Sequence, residues 1–585
     1  MNNKNMKKSN SKGKLNDITL KPSIFSSIRI PTFNKSKLSS KRSSDLKMDG
    51  LLNHNLPTPE DVSLTTGTVK KKKKSFEIFH WKFMLLSVLF VVGLCGTTIM
   101  WFTTIYHEEI FKTLTLGNGT PLHYAWKKPP LEPLLCVHIF NYTNVDQYFS
   151  DENKKSKSVK LKVEDSGPYC FREKIERMHI QFRKNETEMS YREQRLHTFD
   201  EEASVGSLNA TVIVPNVLIL SVYKELKSLS AISRFFGYAT LSTTGAKVLI
   251  ETTVQKYLFG YEDNIFNMIG NVQQMFSDDN KKLPTEFGIL KKRSGLSNDT
   301  FVIRTGIGNL DEMGQVIEIN NITKFNAWTS DACNVVTGSD GLFSRRSSIQ
   351  SLHDVLLFHK DSCRALPLQF DHVEELRGGI LAHRYKLRSD IFDHSKSENQ
   401  CYCNVSDSCT ILGALDISSC ASVQGAPIVL SRPHFLDSNV NLNMNGEEII
   451  EGLKPDIKKH DFHIDVFPPI GLTVRTLMRM QMNIQVHNPG HDRNLNPLED
   501  KTVLPMVWVE MNSGNDVPEK MYSLLYHLSF TMKWAEYGLK WTFLLFTFLM
   551  AFILFKISFM KSSKKEFIII LKKSKPSNSL SFPCV

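Results

Sequence analysis

Histidine and aspartate side chains in the C-terminal half are the residues of this sequence whose types and spacing could do chemistry. His434, in the run Ser-Arg-Pro-His-Phe, could act as a general base, and His460, His463 and Asp465 could hold a metal ion. Catalysis at His434 would need a nucleophile and an orienting acid at a recognisable spacing, and the nearby sequence supplies neither. One short cluster without a second layer of hydrogen-bonding groups is also a weak metal site. We therefore interpret His434 as structural and expect no enzyme, no metal and no cofactor.

Ten cysteines offer disulfide or zinc chemistry, and eight of them lie in the long middle of the chain. Four of the eight cluster over residues 401–420, but their spacing lacks the paired Cys-X2-Cys arrangement of common structural zinc sites. Pairing in an oxidising compartment is the better interpretation. The eight are Cys136, Cys170, Cys333, Cys363, Cys401, Cys403, Cys409 and Cys420.

Asparagine sequons point to the same compartment, because Asn-X-Ser/Thr is the acceptor pattern for glycosylation of secreted segments. One further sequon, Asn34, lies close to the N-terminus and is expected to stay bare. The expected glycosylation sites are Asn118, Asn141, Asn185, Asn209, Asn298, Asn321 and Asn404.

Two apolar runs near the ends of the chain decide on which side of a membrane these residues lie. Residues 83–105 carry no charge and residues 541–560 carry only Lys556, and each run has about the 20 residues that a membrane-spanning helix needs. Lysines precede the first run and follow the second, so both termini are expected to be cytoplasmic. We expect residues 106–540 to form one ectodomain, and residues 561–585 to form a second cytoplasmic tail.

The charge distribution excludes one class of partner. Lys and Arg exceed Asp and Glu by 12 in residues 1–82 and by 6 in residues 556–585, whereas the net charge of the whole chain is +12. The remainder is therefore net acidic, and a nucleic-acid partner is not expected. Residues 1–82 are rich in Ser, Lys and Asn with few apolar clusters, which predicts a disordered basic tail.

Within the expected ectodomain, β-branched and aromatic residues alternate with turn formers, which predicts short strands in a largely antiparallel sheet. The clearest strand segments are 134–143, 162–173, 178–192, 426–435 and 502–511. Residues 216–239 and 243–261 instead have apolar residues at helical spacing, with Gly245 and Gly260 as stop signals. They are predicted to form a separate pair of helices.

Read in order, the ectodomain resembles the class B scavenger receptors, the family of fatty acid translocase, croquemort, the insect sensory neuron membrane proteins and the lysosomal integral membrane proteins. The resemblance runs through nearly the whole ectodomain. It rests on LTLGNGTPLHYAWKKPP (114–130), HIFNYTN (138–144), DSGPYCFRE (165–173), VPN (214–216), LFGYED (258–263), CNVVTGSDG (333–341), DSCRA (361–365), CYCN (401–404), SRPHF (431–435) and LPMVW (504–508).

The resemblance implies an α+β membrane protein, with a large antiparallel β-barrel-like ectodomain, a helical bundle at its membrane-distal apex (216–261) and two transmembrane helices. It also implies three disulfides: Cys333 with Cys401, Cys363 with Cys420, and Cys403 with Cys409. Each bridge typically contributes about 2–4 kcal/mol. Cys136 and Cys170 lie outside that pattern on neighbouring predicted strands, which leaves open a fourth bridge or two buried thiols.

The function that the resemblance implies is binding of lipidic cargo at the apex and passage of lipid through an ectodomain tunnel to the membrane. The expected partners are fatty acids, sterols or carotenoids and the lipoproteins or lipid carriers that deliver them, at the plasma membrane or in an endosome or lysosome. Self-association is left open. The candidate ligand-binding side chains of the apex are Lys224, Lys227, Arg234, Phe235, Phe236, Tyr238, Lys247 and Lys256.

Three alternatives stay open at this stage. Helix-surface lysines are usually just solvated and helix aromatics usually belong to a core, so the apical residues could be structural. Some relatives engage fatty acid carboxylates through an apical lysine, which residues 235–246 lack. A two-span ligand-gated channel is the main alternative function, but such a channel needs polar pore-facing positions that the two apolar runs hardly offer. An ectoenzyme is less favoured.

Overall fold

The computed structural model describes residues 66–156, 158–263, 286–403, 413–420, 426–442, 446–489, 494–514 and 517–573. The chain divides into two units after Ile78. The α-helices are α1 (Thr66–Phe102), α2 (Ile105–Lys112), α3 (Pro121–Lys127), α4 (Val145–Tyr148), α5 (Asp151–Ser156), α6 (Val217–Ser228), α7 (Ala231–Thr244), α8 (Val254–Phe259), α9 (Arg346–Gln350), α10 (Ile457–His460), α11 (Glu519–Tyr526) and α12 (Met532–Lys573). A π-helical turn (His527–Thr531) joins α11 to α12.

Strands dominate the second unit. They are β1 (Leu134–Tyr142), β2 (Leu161–Arg183), β3 (Glu188–Phe199), β4 (Thr211–Pro215), β5 (Leu249–Thr253), β6 (Tyr261–Glu262), β7 (Glu286–Phe287), β8 (Gly295–Leu296), β9 (Phe301–Arg304), β10 (Val316–Ile319), β11 (Val355–His359), β12 (Arg364–Leu376), β13 (Ile380–Leu387), β14 (Ala414–Asp416), β15 (Ile428–Ser431), β16 (Ile450–Glu451), β17 (His463–Phe467), β18 (Leu472–Gln485) and β19 (Val503–Asn512).

One large sheet in the described residues follows the order β10-β9-β3-β2-β1-β19-β18-β17-β13-β12-β11, and its neighbouring strands are antiparallel. Its two edges approach each other through Ser339, which bridges to Gln315 beside β10 and to Leu357 of β11. The sheet is therefore a nearly closed barrel, as the family resemblance implied. Closing a sheet on itself removes the unpaired edges that would otherwise invite aggregation. The short β16 pairs in parallel with β2.

The described residues of the ectodomain form two hydrophobic clusters. The larger includes Val137 of β1 and Val507 of β19 together with Tyr223 of α6 and Tyr257 of α8, so one core joins the sheet to the helices. The second includes Trp126, Tyr191 of β3, Ile303 of β9, Ala382 of β13 and Leu525 of α11. This second cluster ties opposite parts of the sheet to the helix that leads into the second span.

The two candidate spans are helices of sufficient length and apolarity, His80–Phe102 and Glu519–Ser563. They pack against each other: a Cβ on Gly96 would collide with the Phe543 ring, and the rings of Trp101 and Trp541 meet edge to face with centroids 5.9 Å apart. The first span ends at Phe102, three residues before the predicted end. Thr103 and Thr104 are not helical, and α2 begins as a new helix at Ile105.

Several predicted boundaries were wrong. Residues 216–239 form two helices, since Ser230 accepts the N–H of Ser233 and begins α7 as a new helix. Residues 243–261 are not one helix: Gly245 ends α7 in the left-handed conformation, and β5 then pairs with β4 before the short α8. The β-branched Ile250, Thr252 and Thr253 favour that extended backbone.

Three further boundaries differ as well. The segment 178–192 contains a turn between β2 and β3, and β15 ends at Ser431, before a 3-10 turn at Pro433–Phe435. Helix α1 begins at Thr66, inside the tail expected to be disordered, because its five consecutive lysines are good helix formers that continue the spanning helix. Residues 1–65 of that tail lie outside the described residues.

Candidate functional site

Helices α6 and α7 carry most of the candidate ligand-binding residues, and both have well-defined ends. The Asn216 side chain accepts the N–H of Ile219 at the start of α6 and donates to Asp263 at 2.8 Å. The Ser230 hydroxyl begins α7, and Gly245 ends it with a φ of 69°. These caps satisfy N–H and C=O groups that would otherwise lack partners, so the pair is held in a fixed geometry.

The two helices approach closely at Gly237 of α7. A Cβ at this position would collide with the Leu226 side chain of α6. Tyr238 stacks on Tyr223 of α6 with ring centroids 6.1 Å apart, and the Asn494 side chain donates to the carbonyl of Leu241 at 3.0 Å. The inner face of α7 therefore packs against α6 and against the segment that contains Asn494.

The opposite face of α7 is apolar and open to solvent. Ile232, Phe235 and Phe236 are 73%, 69% and 54% exposed, and their spacing of three and four residues places them on one side of the helix. The rings of Phe235 and Phe236 lie 5.7 Å apart. We call these three residues the helix patch. A cluster of large exposed apolar side chains is a feature that soluble surfaces rarely carry without a function.

The cationic candidates do not act together. Arg234 donates to the carbonyl of Leu229 at 3.0 Å, and Lys227 lies 3.9 Å from Asp500, so both have structural partners. Burial lowers the pKa of the half-buried Lys224 ammonium, although Asp416 and Glu225 oppose this effect. Lys247 and Lys256 are exposed.

Sequence reasoning missed His487, which is close enough to two lysines of α6 to be affected by their charges. Burial, followed by the positive charges of Lys227 and Lys224, lowers the pKa of His487 to about 4. Its Nδ1 atom is buried without a hydrogen-bond partner. The sequence offered no signal for this residue, because it is 260 positions or more from both lysines and only the fold brings them together.

A row of methionines lies on one face of the sheet. Met478, Met480 and Met482 alternate along β18, and Met511 of β19 is the register partner of Met478. All four are half-buried and pack against the larger hydrophobic cluster. We call these four residues the methionine row. Methionine is flexible and polarizable, and it therefore adapts to apolar partners of different shapes.

His434, His460, His463 and Asp465 do not converge on a metal. Arg384 binds the buried carboxylate of Asp465 through two hydrogen bonds of 2.7 and 2.8 Å, and the ring of His460 instead stacks on His434. Burial lowers the pKa of the half-buried His463. In the described ranges, no three His, Cys, Asp or Glu side chains are arranged as metal ligands.

The cysteines follow the implied pairing only in part. Cys136 and Cys170, directly opposite on β1 and β2, form a disulfide, and so do Cys333 and Cys401. Cys403 is disulfide-bonded, and its expected partner Cys409 lies outside the described residues. The expected bridge between Cys363 and Cys420 is not present: both side chains are buried free thiols.

The expected glycosylation sites differ in accessibility. Asn141 is half-buried within β1, and its side-chain oxygen accepts the N–H of Ile213 at 2.8 Å. Asn404 lies outside the described residues. The exposed sequon residues are Asn118, Asn185, Asn209, Asn298 and Asn321.

Comparison with known proteins gives a consistent match to one family. The sequence profile of the CD36 family matches residues 85–558. The chain is 30% identical to Lysosome membrane protein 2 of Mus musculus over 380 residues, which are 65% of this chain and 74% of that protein. It is 24% identical to Scavenger receptor class B member 1 of Bos taurus over 448 residues, which are 74% of this chain and 82% of that protein.

Proposed function

Because the chain belongs to the CD36 family, we propose that it is a two-pass membrane receptor that binds lipidic ligands and transfers lipid through its ectodomain to the bilayer. The observation that carries the proposal is the helix patch. Ile232, Phe235 and Phe236 expose apolar surface on a rigid helix pair, where an acyl chain or sterol can be buried. Burial of such a ligand contributes about 0.8 kcal/mol per CH₂ group.

The methionine row supports the transfer step. A lipid that leaves the helix patch needs a continuous apolar surface to reach the membrane, since crossing water forfeits its hydrophobic stabilisation. Met478, Met480, Met482 and Met511 present half-buried apolar surface on one face of the barrel wall. The gradient of lipid between donor and membrane would supply the direction.

The cargo class follows from this chemistry and from the relatives. Fatty acids, sterols or carotenoids, presented by a lipoprotein or lipid carrier, are apolar enough to bind the helix patch. Residence in the plasma membrane or in an endolysosomal membrane is consistent with relatives named for a lysosome membrane and for a scavenger receptor. The function requires no cofactor and no catalytic residue.

The test uses the full-length chain in proteoliposomes, with donor vesicles that contain a fluorescent fatty acid or sterol. Replacing Phe235 and Phe236 by serine should weaken donor binding about tenfold or more, because a loss of about 1.4 kcal/mol corresponds to a factor of ten. Leu196→Ser is the matched control, since Leu196 is 61% exposed on β3, away from the helix patch. If the serine variant of Phe235 and Phe236 binds donor vesicles as strongly as the control Leu196→Ser, the helix patch is not the binding site.

Transfer is tested separately from binding. Met480→Trp should slow lipid delivery to the proteoliposome membrane without weakening donor binding, whereas Met480→Leu should preserve both. If Met480→Trp transfers lipid at the unchanged rate, the route past the methionine row is wrong. A ligand-evoked ionic current in the same proteoliposomes would favour the two-span channel instead.

A further inference from the structure

Two buried histidines far apart in the sequence stack on each other. The rings of His434 and His460 have centroids 4.5 Å apart and planes 18° from parallel, and the two residues are 6% and 4% exposed. His434 lies in the turn after β15, where its φ of 53° is unusual for a residue other than glycine, and His460 ends α10. We call this pair the histidine clasp.

Each ring of the clasp accepts a backbone hydrogen bond. Nδ1 of His434 accepts the N–H of Lys454 at 3.1 Å, and Nδ1 of His460 accepts the N–H of Asp456 at 3.0 Å. A ring nitrogen that accepts a hydrogen bond carries no proton, so both imidazoles are neutral with their proton on Nε2. Adding a proton at either Nδ1 must break the corresponding backbone hydrogen bond.

The first of these hydrogen bonds joins the turn after β15 to residues 450–462, which we call the strap, and the second, from Asp456 to His460, lies inside the strap. The strap begins with β16, where Ile450 pairs with Leu161 of β2. Gly452 then lies so close to the carbonyl of Val163 that a Cβ would collide with it. The strap therefore lies directly against β2, and the clasp fixes its following residues.

The clasp has little negative charge to compensate a second proton. The Asp165 carboxylate on β2 lies 3.4 Å from Nε2 of His434, but it also accepts the indole N–H of Trp508 at 3.1 Å and lies 3.4 Å from Nδ1 of His138. Burial alone would raise the pKa of Asp165, but these hydrogen bonds outweigh it and hold the pKa well below its ordinary value.

Positive groups also lie close to the clasp. Arg479 of β18 pairs with Glu510 at 2.7 Å and donates to the carbonyl of Asp461 at 3.2 Å, so its charge lies beside His460. The elements packed around the clasp carry further charged and titratable groups, among them His138 on β1, Lys162 and Asp165 on β2, Arg475 and Arg479 on β18, Glu510 on β19, Arg432 and Asp437 beside the turn, and Glu451, Lys454, Asp456, Lys458, Lys459 and Asp461 on the strap.

We propose that the histidine clasp is an acid-operated latch that holds the strap against β2 at neutral pH and releases it in an acidic compartment. Two positively charged rings at this separation repel each other, and one carboxylate can offset only one of them. Protonation of His460 therefore weakens its stack on His434, which joins the strap to the turn after β15, and breaks the hydrogen bond that His460 accepts from Asp456.

The direction and size of the effect follow from proton linkage. Burial, then the neighbouring His434 and Arg479, lowers the pKa of His460 to about 4, below its ordinary value of 6.5. His460 thus binds a proton more weakly in the clasped state than in the released strap. The latch is therefore fully stable above pH 6.5 and weakens as the pH falls toward 4. For His460 alone, the ratio of released to clasped strap should rise about 25-fold from pH 7.4 to pH 5.0.

Hydrogen exchange on the full-length protein tests the latch. After correction for the intrinsic effect of pH, peptides that cover residues 450–462 should exchange about 25-fold faster at pH 5.0 than at pH 7.4, whereas those that cover 503–512 should change little. The double variant His434→Gln and His460→Gln should reduce the change to less than about threefold, since glutamine accepts hydrogen bonds but does not titrate. His353→Gln, at an exposed histidine elsewhere, should leave the change intact.

Either of two results would overturn the latch: equal protection of the wild-type strap at both pH values, or an undiminished pH effect in the double variant. A measurement on the wild-type protein covers the case in which the double variant fails to fold. The exchange rate of the imidazole C2 proton of His460 reports the titration of that histidine, and its midpoint should lie well below pH 6. A midpoint at 6.5 or higher means that the clasp does not resist protonation, and the proposal fails.

Discussion

The side-chain oxygens of Thr97 and Thr547 lie 3.1 Å apart and share a hydrogen bond, although the two residues are separated by 450 positions in the sequence. Each hydroxyl also lies within hydrogen-bonding distance of the carbonyl four residues earlier in its own helix, and because each has one proton, one hydroxyl donates to its carbonyl while the other donates across the pair. Gly93 lets the helices approach, because a Cβ there would lie 2.8 Å from the Thr547 oxygen. The two spans therefore form one packed pair that joins the ends of the chain, in the manner of small-residue contacts between membrane helices.

Replacing Gly96 by leucine should separate the two spans, because even a Cβ at this position collides with Phe543. In a Cys95→Ser background, cysteines at positions 97 and 547 should form a disulfide readily in membranes under mild oxidation. Gly96→Leu should reduce the yield of that crosslink at least about threefold, since interhelical contacts of this kind are worth about 1 kcal/mol.

Gly538 supplies the matched control for the span contact, as nothing lies within 4 Å of a Cβ built there. Gly538→Leu should leave the crosslink yield unchanged. Equal yields in the Gly96 and Gly538 variants would show that the spans do not pack through this face.

Gly237→Val should destabilise the helix pair that carries the helix patch. The added side chain collides with Leu226, and overpacking of this kind costs about 1–3 kcal/mol. The expected result is a lower Tm and weaker donor binding, measured by thermal unfolding and by the vesicle assay. Gly245→Asn is the control: its site is open, and asparagine tolerates the left-handed backbone, so Tm should change little.

The disulfide between Cys136 and Cys170 should stabilise the ectodomain, because it closes a loop with a sequence separation of 34 residues. Replacing both cysteines by alanine should lower the free energy of unfolding by roughly 3–4 kcal/mol. Peptide mapping without reductant should recover the two cysteines in one linked product. Their alkylation without reduction would disprove the bridge.

The stability of the helix pair should fall in acid through His487. The folded pKa of about 4 lies below the ordinary 6.5, so the unfolded chain binds the proton more tightly. The stabilisation is complete above pH 6.5 and is lost as the pH falls toward 4. By pH 4.5 the loss should be roughly 1–2 kcal/mol, after allowance for solvent screening of a partly exposed group.

His487→Gln should therefore flatten the dependence of Tm on pH between 7.5 and 4.5, and His353→Gln should not. The comparison must be made at constant ionic strength, because Lys224 and Lys227 contribute to the shift. A wild-type Tm that falls no faster than that of His487→Gln would count against the buried, neutral state of this histidine.

The strands and spans were predictable where the pattern is local. Alternation in residues 134–143 and 502–511 predicted β1 and β19 to within one residue, and the uncharged run at 83–105 predicted most of the first span. The prediction of one helix over 243–261 was wrong at residues 249–253, because their β-branched side chains are only a weak local signal and pairing with β4 makes them a strand. Local preference is weak, and the partner strand decides.

The sequence by itself predicted the two candidate spans, the presence of disulfides between them and the class of fold, because hydropathy, cysteine usage and motif order can be read directly along the chain. Only the tertiary structure decided that Thr97 meets Thr547, that His434 stacks on His460, that Lys224 lies near His487, and that the helix patch is open while Arg234 and Tyr238 are engaged. These relations join residues far apart in the chain, and their energies depend on burial and distance, which exist only once the chain has folded.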